Sequence, residues 1–377
     1  MRQTRVQAIG TAVPQYQASQ EEVADWAKRV AFEQASVDGE REGRRAQSAI
    51  ERVYRSSAIH RRASVLPDFV ADPSDFIFFP PNWRLDPAPS TAARMELYRR
   101  EAPPLARVAA ERCLAAAPHL PRSAITHLIV VTCTGFFAPG IDTILVEQLG
   151  LRPEVQRLQI GFMGCYAAFP ALRTADAICR SDPEAVALVV CVELCSIHFR
   201  NDVTMENIVA NCLFSDGAAA ALLSSETESS TRGLATIVDS YTRIEEDSET
   251  QMTWTVTDTG FRMTLTAEVP ETLHRGIAPF VGTLLGRNGL SVEEVGFWAV
   301  HPGGRRIVEA VRNRLELSEG AVSPSFEVLG QNGNMSSPTV LFVLDRCFAR
   351  SPAPGAHGVA LAFGPGLTLE SMLFRAV

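Results

Sequence analysis

The sequence predicts an α/β fold in which strands, largely parallel, are covered by helices, and three observations carry that prediction. Apolar runs of strand length, ITHLIVVTC (125–133) and AVALVVCVEL (185–194), alternate with helical stretches such as TILVEQLGL (143–151). A second series of the same kind begins after the polar stretch SSETESSTRG (224–233). Finally, 377 residues with 46% hydrophobic and 21% charged composition are enough to bury a large core.

Taken in order, residues 40–100 are rich in Arg, Pro and Asp and read as a helix followed by an irregular surface connection, with PPNWRLDPAPS its most turn-like part. Regular structure then resumes with the two apolar strands above, joined through helices. In the second series LATIVDSY reads as a strand. A helix over 271–285 follows, with Leu273, Ile277, Val281 and Leu284 on one face. EVGFWAVHPGG parallels ITHLIVVTCTG as a strand running into a Gly-bearing loop, and GVALAFGPGLTLESML parallels FSDGAAAALLSS as a Gly turn beside an apolar strand. These echoes divide the chain into two similar halves, 1–230 and 231–377, stacked into one body.

Bulk properties exclude several classes. A net charge of −8 and a sequence pI near 5.5 argue against a nucleic-acid partner. No segment reaches the ~18 uninterrupted apolar residues of a membrane span, and the N-terminus lacks the apolar core of a secretory signal. The cytoplasm is the expected address. The eight cysteines lie mostly in apolar runs without CxxC pairs, so reduced thiols are expected rather than a disulfide framework or a metal site. Of 35 basic residues only Lys28 is lysine, the bias a GC-rich genome imposes.

Three loops carry candidate chemistry. In LQIGFMGCYAAFPALRTADAIC, an apolar strand runs through Gly161 and Gly164 to Cys165. Ala168, Leu172, Ala175 and Cys179 then follow at helical spacing, with Pro170 in the first turn. Cys165 is either a buried structural cysteine or a nucleophile whose thiolate is favoured by unpaired N–H groups at the helix entry. In FWAVHPGGRRIVEAVRNRL, His301 ends an apolar strand before a Pro-Gly-Gly turn and the next helix, a position where α/β sheets collect ligands. In LGQNGNMSSPTVLFVLDRCF, Asn334 sits in a Gly-rich turn, and Ser336 and Ser337 are candidate helix caps before Pro338. Together the three supply a nucleophile for an acyl thioester and two hydrogen-bond donors for the oxygen charge of a second substrate.

These strings, in this order and spacing, resemble those of type III polyketide synthases, the chalcone-synthase-like enzymes of plants and their bacterial relatives. The resemblance runs from about Arg52 to Val377 through ITHLIVVTCTG, LGLRP, GFMGCYAAF, FSDGAAAALL, HPGGRRI, GNMSSPTVLFVLD and AFGPGLTLE. It implies a five-layered αβαβα thiolase-like fold, a homodimer, and a Cys-His-Asn centre at Cys165, His301 and Asn334. Phe214 matches the phenylalanine that gates the family's pocket at the mouth of the coenzyme A tunnel. By the same resemblance Cys165 takes a starter from acyl-CoA, and His301 and Asn334 hold malonyl-CoA through its decarboxylation. Condensation is repeated and the product cyclised, with coenzyme A thioesters as substrates and no cofactor. Arg55, Arg61 and Arg62 are similar to the basic segment that holds the coenzyme A phosphates in relatives.

The pocket departs from the plant pattern. Cys133, Cys195 and His198 stand where plant chalcone synthases have threonines, Met263 replaces a second gating phenylalanine, and Ala138 replaces a methionine that crosses the dimer interface. Ser336 joins this pocket set. Smaller Ala138 and pliable Met263 favour a longer or aliphatic acyl chain, and His198 adds a titratable group. The rivals are an initiating β-ketoacyl carrier-protein synthase, a cysteine hydrolase and a non-catalytic dimeric binding protein. The FGPGLTLE string and Phe214 disfavour the first, the missing CGSCW-like signature the second, and the full Cys-His-Asn set the third.

Overall fold

The computed structural model describes residues 2–227 and 230–377. The chain opens with β1 (Arg2–Ala12), β2 (Tyr16–Ser19), α1 (Gln20–Ala35), α2 (Glu40–Arg55), β3 (Arg61–Ser64) and the long helix α3 (Thr91–Ala116). It continues through β4 (His127–Thr132), α4 (Ile141–Gln148), β5 (Gln156–Gly161), α5 (Ala168–Ser181), β6 (Val186–Leu194), α6 (Met205–Leu213) and β7 (Asp216–Thr227). Then come β8 (Ala235–Ile244), the hairpin of β9 (Met252–Thr257) and β10 (Gly260–Leu265), α7 (Val269–Arg287), β11 (Val295–Val300) and α8 (Arg305–Arg314). The chain ends with α9 (Glu319–Asn332), α10 (Thr339–Ala349), β12 (His357–Gly364) and β13 (Thr368–Ala376).

Nine strands hydrogen-bond in the order β11-β12-β13-β8-β1-β7-β6-β4-β5. The sheet is mixed: β4 runs parallel to β5 and β6, and β11 to β12, whereas β12–β13 and β6–β7 are antiparallel. The link from Gly364 to Thr368 is too short for the crossover that a parallel partner needs. At the centre β1 meets β8 only at Arg5–Thr236 and Val6–Ala235. On either side of that join the order is the same read outward, β1-β7-β6-β4 and β8-β13-β12-β11.

Packing sorts these strands between three helix layers. Val130, Leu188 and Val190 face α3 through its Ala106, Ala109 and Ala110, and the alternate residues Ile129, Val131 and Val189 face the other way. That second face meets Phe169 and Leu172 of α5 and Val340 and Leu341 of α10, which also cover Ala360 and Met372 of the other half. The outer side of the second half packs Trp298, Val359 and Leu373 on Leu273, Ile277, Val281 and Leu284 of α7. The result is the five-layered αβαβα thiolase-like arrangement. Every one of the apolar positions predicted for the helix near 271–285 is buried.

Some local expectations are revised. Residues 56–90 are more than surface connection. Asp68, fully buried, accepts the N–H groups of Ile77, Phe78 and Phe79, and Phe69 and Phe79 pack on Trp26 and Phe199. The strand read as apolar before Gly161, β5, is an exposed edge strand. The polar stretch at 224–233 begins inside β7, and its Glu228 and Ser229 lie outside the described residues.

Candidate active site

β5 ends at Gly161, and a 3-10 turn, Gly164–Tyr166, carries the chain into α5. Gly164 has φ 77°, and a Cβ there would lie 2.6 Å from Pro365 Cδ. A glycine is therefore required for the Gly-Pro-Gly turn between β12 and β13 to press against the cysteine loop. Cys165 is buried at 4% exposure. Its thiol is pushed up to about 11, first by burial and also by the Glu193 carboxylate, against the hydrogen bonds of Ser336 and Asn334. The depressed thiol expected at a helix entry is thus not found; desolvation outweighs the dipole here.

His301 follows β11 directly, its N–H bonded to Leu361 O at 2.7 Å. It is 1% exposed, neither ring nitrogen has a partner among the described residues, and burial holds the imidazole down at about 3, hence neutral. Asn334 is fixed from both sides. Its backbone bridges that of Phe214, with Asn334 N donating to Leu213 O at 2.8 Å and Ser215 N donating to Asn334 O at 2.9 Å. Its Oδ1 accepts the Ser336 N–H at 2.8 Å, which leaves Nδ2 directed at Cys165 Sγ, 3.9 Å away, and at Gly303 O, 3.4 Å away. Cys165, His301 and Asn334 line one cavity.

Ser336 and Ser337 do not cap α10, whose N-cap is Pro338 without a side-chain bond. Ser336 takes φ 60° and places its hydroxyl 3.5 Å from Cys133 Sγ, while Ser337 Oγ donates to Glu193 at 2.5 Å. Glu193 is the residue that sequence reasoning passed over. Fully buried, it accepts from Cys133 N at 2.9 Å, Cys133 Sγ at 3.2 Å and Thr134 Oγ1 at 2.8 Å. Burial raises its pKa above the ordinary carboxylate range, against the pull of these donors. The signal was present: it is the one charged residue in the run VALVVCVEL.

A second cavity, about 1020 Å³ of empty space with its opening included, adjoins the first. Cys133, Cys195, His198 and Ser336 line it, and it extends to Tyr16 and Val70, which are 39% and 53% exposed. Phe214 and Met263 line both cavities and stand between them. His198 is tied at both nitrogens, Nε2 to Thr134 O at 2.7 Å and Nδ1 to Phe261 N at 3.0 Å, and stacks on Phe261 at 4.2 Å. Held down at about 3 by burial, it is a neutral brace rather than a titrating group in the neutral range. Trp254 Nε1 donates to Cys133 O at 2.7 Å, so the β9–β10 hairpin that carries Met263 is fastened to the floor at two points.

The remaining candidates are dispersed. Ala138 is exposed and borders neither cavity. Arg55 is exposed and paired with Glu51, and Arg61 is exposed; neither lines the Cys165 cavity. Arg62 is buried, lines the second cavity, and donates to Asn211 O at 2.6 Å and Phe214 O at 2.7 Å, so it grips the backbone beneath Phe214. Among the described residues no cluster of His, Cys, Asp or Glu is arranged to hold a metal ion, and no helix is long and apolar enough to cross a membrane.

Residues 2–227 match the N-terminal domain of chalcone and stilbene synthases, and residues 237–377 match the C-terminal domain. The chain belongs to this family. It is a type III polyketide synthase, an acyltransferase that condenses acyl units. The chain is 36% identical over 379 residues to the "Alpha-pyrone synthesis polyketide synthase-like Pks18" of Mycobacterium tuberculosis, covering 99% of this chain and 91% of that one. The Mycobacterium bovis counterpart matches equally. Its fold is similar to that of PKS-I from the brown alga Ectocarpus siliculosus, with TM-score 0.92 and 33% identity across 100% of this chain and 99% of that one. It is also similar to the C-terminal type III polyketide synthase domain of Steely1 from Dictyostelium, with TM-score 0.85 and 28% identity over 100% and 99% of the two chains.

Proposed function

We propose that Cys165 carries the growing chain as a thioester while His301 and Asn334 act on malonyl-CoA. The observation that carries this reading is the convergence of three loops, distant in sequence, on one cavity, with the single N–H of the neutral His301 ring and Asn334 Nδ2 as the donors it offers to an oxygen there. The resting pair is neutral. The Cys165 proton passes to the imidazole as Sγ bonds to the starter carbonyl, and coenzyme A leaves with a proton on its sulfur. Malonyl-CoA then places its thioester oxygen against His301 and Asn334; the C–C bond to the carboxylate breaks, CO₂ leaves, and the donors hold the enolate. Its carbon attacks the acyl thioester, the C–S bond to Cys165 breaks, and the chain is two carbons longer.

Coenzyme A thioesters are the substrates in this reading, with no cofactor. Phe214 gates the passage between the cavities. The second cavity, reaching Val70 and Tyr16, supports a long aliphatic starter, and the relative's name suggests a pyrone as the cyclised product class. Residues 1–230 and 231–377 act as two halves of one catalytic body, one bringing the cysteine and the other His and Asn. The exposed edge strand β5 with Leu158, Phe162 and Phe136 beside it supports a homodimer in which Ala138 lies near the partner. We assign the enzyme to the cytoplasm.

The test is mass analysis of the protein and its products after incubation with malonyl-CoA and a panel of acyl-CoAs. An acyl adduct on Cys165 that disappears with all product in Cys165→Ala is the expected outcome. Wild-type condensation by that variant would remove the nucleophile from the mechanism. Products of one condensation only would favour a β-ketoacyl-synthase-like reaction.

A further inference from the structure

We infer that a small cavity beside Arg94 binds a monovalent anion of about chloride size, which fastens the floor of the second cavity to the β9–β10 hairpin. This third cavity, about 270 Å³ of empty space with its opening included, shares no lining residue with the Cys165 cavity. Its polar wall is Arg94, Arg200, Asn201 and Thr259, and no aspartate or glutamate lines it. Arg94, in the first turn of α3, is 1% exposed and has no ion pair among the described residues. Its Nε donates to Pro89 O at 3.1 Å and its Nη1 to Ile197 O and, at 3.3 Å, to Phe199 O, whereas Nη2 has no partner among the described residues.

Carbonyl dipoles satisfy donors without neutralising a charge, and a guanidinium held out of water with no counter-charge is costly. Burial and the nearby Arg200 pull the Arg94 pKa down only to about 10, so it stays charged at neutral pH. Arg200 contributes donors rather than a second free charge, because Asp202 holds its Nε at 3.1 Å from outside the cavity. Its Nη2 and the Thr259 hydroxyl have no partner among the described residues. One uncompensated cation calls for one negative charge, and the space falls below the ~300 Å³ of the smallest pockets for drug-sized ligands. Position gives the anion its consequence. Arg94 holds the carbonyls on either side of His198, whose ring braces the second cavity. A Cβ on Gly260, at φ 103°, would lie 2.7 Å from Arg94 Cδ, so the tip of the hairpin that carries Met263 closes on the same guanidinium. An anion shared by Arg94, Arg200 and Thr259 therefore ties residues 197–200 to that hairpin.

Crystals grown in sodium bromide are examined by anomalous scattering, and melting is followed in sodium chloride and in sodium gluconate at equal ionic strength. The wild type is compared with Arg94→Met, Arg200→Gln, Asp202→Asn and, as an exposed control, Arg41→Gln. A bromide peak at Arg94 Nη2 is expected, with a melting temperature that rises to saturation in chloride and not in gluconate. Arg200→Gln should raise the chloride midpoint about tenfold, the loss of one charge-assisted donor. Asp202→Asn should lower that midpoint, Arg94→Met should abolish the response, and Arg41→Gln should leave it unchanged. In gluconate KM for a long acyl-CoA starter should rise while that for acetyl-CoA holds. A cavity without bromide would overturn the site, as would a bromide peak with identical melting in the two salts, which marks binding at crystal concentration only. Should Arg94→Met fail to fold, an unshifted midpoint in Arg200→Gln overturns the site equally. Chloride binding that leaves both KM values unmoved would remove the bracing role. The bromide and melting readouts need no turnover, so they stand or fall separately from the polyketide reading.

Discussion

Asn334→Ala separates two duties of one buried amide. Its Nδ2 faces Cys165 Sγ at 3.9 Å, and its Oδ1 accepts the N–H of Ser336 at 2.8 Å. Truncation removes a donor to the developing oxyanion, a loss worth about 10² to 10³ in rate. It also orphans a buried N–H, which costs about 1–3 kcal/mol of stability. Against a typical ~5–15 kcal/mol the variant stays folded but melts lower. Loading should survive, because Cys165 and His301 are untouched. Two assays therefore diverge: the mass of the acyl-enzyme after exposure to starter acyl-CoA stays near wild type, while CO₂ release from malonyl-CoA falls by about 10² or more. A variant that loads poorly yet decarboxylates normally would refute the division of roles and leave the asparagine as a support for its loop.

Three further outcomes follow from the same geometry. Because burial lifts the Cys165 thiol to about 11, its alkylation by iodoacetamide should climb steadily from pH 7 to pH 10; a plateau from pH 6 upward would indicate a standing thiolate–imidazolium pair instead. His301 and His198 are both held down at about 3, so the unfolded chain takes up protons first as pH falls through ~6.5. Their contribution is whole above that pH and is lost toward pH 3, each by about 1.4 kcal/mol at pH 5.5. His301→Gln should flatten the acid limb of a urea-midpoint profile, and an unchanged slope would count against it. Arg62→Met breaks two short bonds to the carbonyls of Asn211 and Phe214 and should lower stability by about 2–3 kcal/mol while raising KM for the starter, whereas Arg55→Ala should stay within about 0.5 kcal/mol in the same denaturation.

Much of the architecture was legible because burial leaves a period. The run at 185–194 is apolar but for Glu193 and became the fully buried β6, and Leu273, Ile277, Val281 and Leu284 became the seam of α7. The catalytic candidates were legible as residue types on Gly-bearing turns at strand ends, and Cys165, His301 and Asn334 do meet. What failed depended on neighbours distant in sequence. Ser336 and Ser337 look like caps in a local window, yet Glu193, more than 140 residues earlier, draws the Ser337 hydroxyl away. Arg62 sits in a basic string but is buried against the end of α6, and the thiol's pKa follows from desolvation by the whole fold rather than from its own helix. β5 read as apolar because its last residues are; nothing local says that it is an edge.

With the roles proposed above, the backbone bridge between Phe214 and Asn334 ties a doorway to a catalytic donor. A gate built this way is hinged on the same post as the latch. Swinging the main chain at Phe214 to admit a bulkier guest would drag Asn334 out of line with the sulfur and forfeit the reaction that the guest came for. The passage can therefore be widened cheaply only by changing ring for smaller side chain at Phe214, or on the facing Met263, which hangs from a different hairpin. Substrate range in this enzyme should accordingly drift through side-chain size at those two positions while the main chain around them stays still, and redesign for larger starters should begin with Met263, the one jamb that can be trimmed without touching the latch.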